Sequence, residues 1–305
     1  VTWRYPCFET CEYVARQLWI RAKAEKSAKG HIVRQATEIL GKQMGGGVQS
    51  LARAISLLRI VSAMNSTGLR LSELVAASGL PKPTTARLMS ELLAAGLVMR
   101  NGQRRFQLGP LTHELGVTSQ MNFRLQELCR PSLTALSEAT GETTYLKVRS
   151  GAEVFCLDLA TASRKRKAQI SWRGSRAALG TGACGLALLS FMSEADRSDV
   201  LFQNAARSPT DVETYIGTLR RQVERTRRTG YALSLDDVFS GMSAIGIPIL
   251  DRAGWPIAAL SVSMPTSELN SVSRDRALAA LQDQERRLRH TLSQSGVVAH
   301  DPLTH

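Results

Sequence analysis

The stretch from residue 71 to residue 109 constrains this chain most. It runs Leu71-Ser-Glu-Leu-Val-Ala-Ala-Ser-Gly79, then Leu80-Pro-Lys-Pro-Thr-Thr-Ala-Arg-Leu-Met-Ser-Glu-Leu-Leu-Ala-Ala-Gly96, and ends Leu97-Val-Met-Arg-Asn-Gly-Gln-Arg-Arg-Phe-Gln-Leu-Gly109. Gly79 closes a short first helix, because glycine adopts the left-handed conformation that ends a helix at little steric cost. Pro81 and Pro83 fall before or within the first turn of a second helix, where a missing amide hydrogen matters least. Beyond them Thr85, Leu88, Met89 and Leu92 share the face that periodicity marks as buried, while Lys82, Thr84, Arg87, Ser90 and Glu91 share the opposite one. Asn101-Gly102 predicts a two-residue type I′ turn between strands carrying Val98 and Phe106, with Arg100, Arg104 and Arg105 around the tip. A short helix, a sharp turn, a second helix and a basic hairpin make a winged helix-turn-helix. Its second helix would lie in a DNA major groove and present Lys82, Thr84, Arg87 and Ser90, and Arg100, Arg104 and Arg105 would follow the phosphates or the minor groove.

The flanks support this organisation. Leu51, Ala54, Ile55, Leu57, Leu58, Val61 and Met64 recur at helical spacing and predict a packing helix over residues 48–65, closing a DNA-binding domain of residues 48–109. Residues 1–47, which carry Cys7, Cys11 and a run of three glycines at 45–47, read as a partly helical or disordered extension without the charge and apolar order of a signal peptide. Leu111, Leu115 and Met121 predict a linker helix over 110–122, with His113 on its surface.

From residue 123 to about 292 the pattern becomes α/β. A helix is expected over 125–140, interrupted by Pro131, followed by strands over 143–149 and 153–160 joined at Ser150-Gly151. A basic loop at 164–167 precedes an expected strand at 168–172. The run Gly180-Thr-Gly-Ala-Cys-Gly185 opens an apolar helix over 186–192. A helix over 211–228, strands over 244–250 and 256–264, and a terminal helix over 274–290 complete the domain, with fraying expected from Leu292 and a disordered tail at 293–305.

Composition narrows the function classes. The net charge is +13, and a basic balance favours polyanionic partners through counterion release. No apolar run approaches the roughly 20 residues of a membrane-spanning helix, and the cysteine spacing suits reduced thiols in a cytoplasm. Two rival classes are weighed. An architectural nucleic-acid binder without an effector rests on charge alone. An enzyme using Cys184 as nucleophile would need a nearby base, yet no histidine stands between His113 and His290. Neither a catalytic residue nor a metal site or cofactor is expected.

Several motifs together resemble the IclR family of bacterial transcriptional regulators. They are Val48-Gln-Ser-Leu-Ala-Arg-Ala54, Thr84-x-x-Arg87-Leu88, Phe106-x-Leu108-Gly109, Leu179-x-x-Gly182, Gly230-Tyr231, Gly241, and Pro248-Ile-Leu-Asp251-x-x-Gly254 leading to Ala259-Leu-Ser261-Val-Ser263. The resemblance implies an α+β chain. Its parts would be a winged helix-turn-helix, a linker helix that takes part in dimerisation, and a C-terminal effector domain with a curved antiparallel sheet of the GAF or profilin-like kind. It also implies dimers or tetramers on near-palindromic double-stranded operators, and small organic acids, aromatic or short oxoacids, as effectors. Carried over by motif, the effector cavity would be lined by Gly182, Ala183, Ser234, Met242, Ala244, Ser261 and Ser263. A helix N-terminus at Gly182 offers backbone amides to a carboxylate, and serines two residues apart on a strand share a face. Ser234 stands where some relatives have an acidic residue, and Ala244 where some have a cysteine.

Overall fold

A computed structural model describes residues 48–120, 124–162, 171–208 and 210–295, and within them two compact units meet at 118/119. The expected basic loop at 164–167, most of the expected strand at 168–172, and residues 1–47 and 296–305 lie outside the described residues.

The first unit contains α1 (Gln49–Ala63), α2 (Leu71–Ser78), α3 (Lys82–Ala94), the two-stranded hairpin β1 (Val98–Arg100) and β2 (Phe106–Leu108), and all but the last two residues of α4 (Pro110–Gln120). Leu57, Ile60 and Val61 from α1, Leu74 and Ala77 from α2, Leu88, Met89 and Leu92 from α3, and Val98 and Phe106 from the hairpin form one core. Burial of these side chains, each worth ~1.5–3 kcal/mol, holds three short helices that would not persist alone. Gly79 ends α2 at φ 67° and its amide donates to Val75 O, as a left-handed cap does. Pro83 occupies the second position of α3, where no helical amide bond is lost.

The second unit has the order α5 (Leu125–Thr140), β3 (Thr143–Ser150), β4 (Glu153–Thr161), β5 (Arg176–Ala178), α6 (Gly182–Phe191), α7 (Glu194–Ala205), α8 (Val212–Thr229), β6 (Ala232–Leu235), β7 (Met242–Leu250), β8 (Pro256–Pro265) and α9 (Ser271–Ser295). The strands form a curved antiparallel sheet in the order β5-β4-β3-β8-β7-β6. One face packs against α6, α7 and α8 through Tyr145, Cys156, Ala259, Leu188, Leu189, Leu201 and Leu219. The other packs against α5 and α9 through Leu133, Leu136, Leu146, Ile245, Ile247, Leu260, Val262, Leu281 and Leu288. The unit is therefore a three-layer sandwich with two cores, one on each face of the sheet.

Several expectations need correction. The helix α5 continues through Pro131: the buried run of Cys129, Leu133 and Leu136 outweighs the ~3 kcal/mol that an interior proline costs. Ser171 and Trp172 are not in a strand; the edge strand is β5, which begins at Arg176 and pairs with β4 from Glu153↔Ala178 to Phe155↔Arg176. Two elements were not expected at all, α7 and the short strand β6. The terminal helix reaches Ser295 and buries Leu292, which is 3% exposed, so fraying does not begin there.

Candidate functional site

In the first unit, α3 presents Lys82, Arg87 and Ser90 as exposed residues and Thr84 as a half-buried one, opposite the buried Thr85, Leu88, Met89 and Leu92. The four side chains expected to face DNA thus share one open face. The face is held by its own N-terminal turn, where the Thr85 hydroxyl donates to Pro81 O at 3.2 Å. Among the described residues Lys82 and Arg87 have no ion-pair partner, so both charges are available to an external anion.

The hairpin differs from the expected type I′ turn. Its strands close at Arg100↔Phe106, and the left-handed residue is Arg104, at φ 57°, rather than Gly102. The Arg104 amide donates to Asn101 O at 2.9 Å and the Asn101 amide to Arg105 O at 3.0 Å. The Asn101 side-chain oxygen accepts from the amides of Gln103 and Arg105, both at 3.0 Å. This is a three-residue loop with a bulge, organised by the asparagine side chain more than by the glycine.

The three wing arginines part company as a result. Arg104 is exposed, and Arg100 lies 4.9 Å from the centroid of the Phe106 ring. Arg105 folds back instead: its Nε donates to Gly68 O at 3.2 Å and its Nη2 to Glu73 Oε2 at 2.8 Å, leaving the side chain 17% exposed. Glu73 also accepts from the Arg70 amide at 2.8 Å. An additional bridge, Leu69↔Phe106, with Phe106 N–H donating to Leu69 O at 2.7 Å, ties the hairpin to the segment before α2. Arg105 is a fastening for the wing, a role that periodicity could not separate from that of its neighbours.

In the second unit the seven residues carried over as effector contacts come together on the α6 face of the sheet. Register places Ser234, Ala244 and Ser263 in one row across β6, β7 and β8, and Ser261 in the next, opposite Gly246. Met242 precedes Ala244 by two on the same strand face. Gly182 begins α6 at φ 68°, and Ala183 presses on the sheet: a Cβ on Gly246 would lie 2.9 Å from both the carbonyl carbon and the oxygen of Ala183. Only glycine at 246 lets the helix start so close to the strand. Thr181, the N-cap of α6, makes no side-chain cap, so the first-turn amides are not engaged by it. Val238, from the loop between β6 and β7, reaches over Gly182.

Ser234, Ser261 and Ser263 are buried. Ser261 lies against the Cys184 thiol and Ser263 is 3.5 Å from Ser243 O, a long contact. Sequence reasoning missed Thr143, which pairs with Ser263 and extends the same row onto β3. It stands at the start of a strand that follows a glycine helix stop, and only the strand order reveals its neighbours. A cleft of about 800 Å³ opens on the opposite side of the sheet, between α5 and the start of α9, with Glu138, Glu142, Glu268 and Arg276 among its walls. None of the seven carried-over residues lines it.

Burial raises the thiols of Cys129, Cys156 and Cys184 above their ordinary value. Burial pushes Cys184 up to about 11 and Cys129 up to about 12, and Cys184 donates to Ala259 O at 3.6 Å. Both stay protonated at neutral pH, which removes the nucleophilic form. Asp158, 1% exposed, is the most deeply buried carboxylate among the described residues of this unit. Burial works to raise it, but Arg173 at 2.6 Å, the Leu159 amide and Arg130, both at 2.8 Å, outweigh that and hold it below the usual carboxylate range. Among the described residues no cluster of histidine, cysteine and carboxylate side chains is arranged to hold a metal, and no helix is long and apolar enough to cross a membrane.

An open polar helix face beside a basic wing, followed by a sheet with a row of buried hydroxyls under a helix N-terminus, defines a DNA-binding protein with a ligand-binding domain. Comparison with known proteins agrees. Residues 50–102 match the IclR helix-turn-helix domain and residues 117–290 the C-terminal domain of bacterial IclR transcriptional regulators. The chain is 31% identical to the HTH-type transcriptional regulator BhcR of Paracoccus denitrificans, over 80% of this chain and 86% of that one. It is 27% identical to the transcriptional repressor IclR of Escherichia coli, over 73% and 82%. Among solved structures, an IclR regulator from Silicibacter sp. superposes with a TM-score of 0.68 at 29% identity, covering 80% of this chain and 96% of that one. An IclR homologue from Microbacterium hydrocarbonoxydans, complexed with 4-hydroxybenzoate, gives 0.62 at 23%, covering 79% and 99%, and supports the fold alone. The chain belongs to the IclR family: a transcriptional regulator with a helix-turn-helix DNA-binding domain and a C-terminal effector-binding domain.

Proposed function

We propose that this regulator binds a near-palindromic operator as a dimer or tetramer, and that a small organic acid seated between the start of α6 and the sheet changes its operator affinity. Specific reading falls to Thr84 and Arg87, and Lys82, Ser90, Arg100 and Arg104 supply phosphate contacts whose strength falls with salt. Arg105 drops out of the contact set because it is committed to Glu73. The observation that carries the effector reading is the convergence of Ser234, Ala244 and Ser263 in one row beside the α6 N-terminus. Amide N–H groups at a helix start favour a carboxylate, and hydroxyls both donate and accept. The buried, protonated state of Cys184 favours a packing role over catalysis.

The test is fluorescence anisotropy with the DNA upstream of the protein's own gene and a random duplex of equal length, at physiological salt, with and without a panel of organic acids. The reading requires tighter binding to the upstream DNA and at least one acid that shifts it. Equal binding to both duplexes would return the architectural alternative.

A further inference from the structure

We infer that Thr143 contacts the effector and selects acids that carry a second oxygen, distant from the carboxylate; this rests on the effector reading above. The first observation is an uncompensated group. Thr143 is 1% exposed and its Oγ1 is buried with no hydrogen-bond partner among the described residues. Its neighbour Thr144, equally buried, donates to Leu133 O at 3.0 Å on the α5 face. Leaving a buried hydroxyl unpaired is costly and such groups are few in folded proteins. A valine of the same shape would avoid the cost.

The second observation is place. Thr143 pairs with Ser263 and Tyr145 with Ser261, so the Thr143 side chain lies on the α6 face, at the end of the row formed by Ser234, Ala244 and Ser263. Over β7 stands the start of α6, with Ala183 against Gly246 and no Thr181 cap. From β7 to β3 is two strand spacings, roughly 10 Å. A lone carboxylate held by the α6 amides does not reach Thr143. A ligand with a carboxylate at one end and a hydroxyl several bonds away does, and its oxygen would satisfy the threonine. Ser234 and Ser263 would border the path between.

Isothermal titration of the full chain tests this with two pairs that differ by one distal oxygen, 4-hydroxybenzoate against benzoate and 4-hydroxybutyrate against butyrate, with pyruvate as a short acid. The wild type should prefer the oxygenated member of at least one pair by about tenfold. Thr143→Val should reduce that preference to under about threefold, chiefly by weakening the oxygenated acid, and Thr143→Ser should keep it. Thermal melting of each variant identifies the folded ones, and the serine variant carries the test should valine not fold. Binding without a preference for the distal oxygen, a preference that survives Thr143→Val, or binding of pyruvate alone overturns the inference and leaves the effector reading standing. Binding of none of the five acids overturns both.

Discussion

The two units of this molecule place function on opposite kinds of surface. In the winged unit the side chains proposed to meet DNA are charged or hydroxylic and, Thr84 apart, exposed, and they stand on one short helix and one hairpin. In the effector unit the side chains proposed to meet the ligand are uncharged and mostly buried, and they come from α6 and four strands spread between Thr143 and Ser263. A reader of phosphates and base edges needs protruding donors, whereas a binder of a small acid needs a dry cavity whose few polar groups are fixed by packing. The first kind of site is written in local periodicity. The second is written in strand register.

The comparison can be broken most forcefully at Gly246. Gly246→Val forces a side chain into the Ala183 backbone, and overpacking of this kind costs ~1–3 kcal/mol. A thermal melt should show the loss, and the response of operator binding to acids should disappear. Retention of both would mean that α6 is not seated as described.

In the winged unit the largest effect is expected from Arg87→Ala. It should weaken operator binding by ~1–3 kcal/mol and relax preference at one base pair if Arg87 reads a base edge. Uniform weakening across all sequences, measured by anisotropy on a set of single-base operator variants, would reassign it to phosphate.

The wing offers a finer contrast between adjacent arginines. Arg104→Ala should lower affinity for all DNA and reduce the slope of log affinity against log salt by about one. Arg105→Ala should leave that slope nearly unchanged and act on the melting temperature, because its partners are Glu73 and Gly68. A full unit of slope lost in Arg105→Ala would put that side chain on DNA after all.

The smallest effect concerns acid stability of the effector unit. The carboxyl of Asp158 is held below its ordinary value by Arg173, the Leu159 amide and Arg130 against the opposing pull of burial. A depressed folded value adds stability that is complete above the unfolded value of about 4 and is lost as pH falls through the folded one. Denaturation midpoints of Asp158→Asn should therefore fall less steeply than wild type below about pH 4. Parallel curves would show that the two arginines contribute nothing there.

The local features of the winged unit were legible because each rests on short-range chemistry: Gly79 as a left-handed cap, Pro83 in the first turn, Leu88 and Leu92 on the buried face. The hairpin was legible only in outline. Asn101 could equally lend its backbone to a type I′ turn or accept, through its side-chain oxygen, from the amides of Gln103 and Arg105, and the second arrangement, with Arg104 in the left-handed region, is the one adopted. In the effector unit the chain order of strands was readable where they are long and apolar, as at β7 and β8. The three-residue β5 and four-residue β6 carry too little pattern to register. The missed helix α7 did leave a signal, Ser193 three residues before Asp196, whose amide donates to the Ser193 hydroxyl at 3.1 Å. Thr143 was invisible for another reason: its partners lie 120 residues away at Ser263, and nothing local announces a hydroxyl without a bond.

The contact between Ala183 and Gly246 has a mechanical consequence. Two backbones meet there without an intervening side chain, so the seat of α6 has no rotamer that can yield. Protein interiors compress little and pass strain onward. On the effector reading, a molecule entering the neighbouring row would meet no flexing side chain at that seat, and the displacement it demands would go into the helix as a whole. The glycine makes the joint stiff, and on the effector reading proposed above a stiff joint would convert occupancy by something a few ångströms wide into motion of a ten-residue lever.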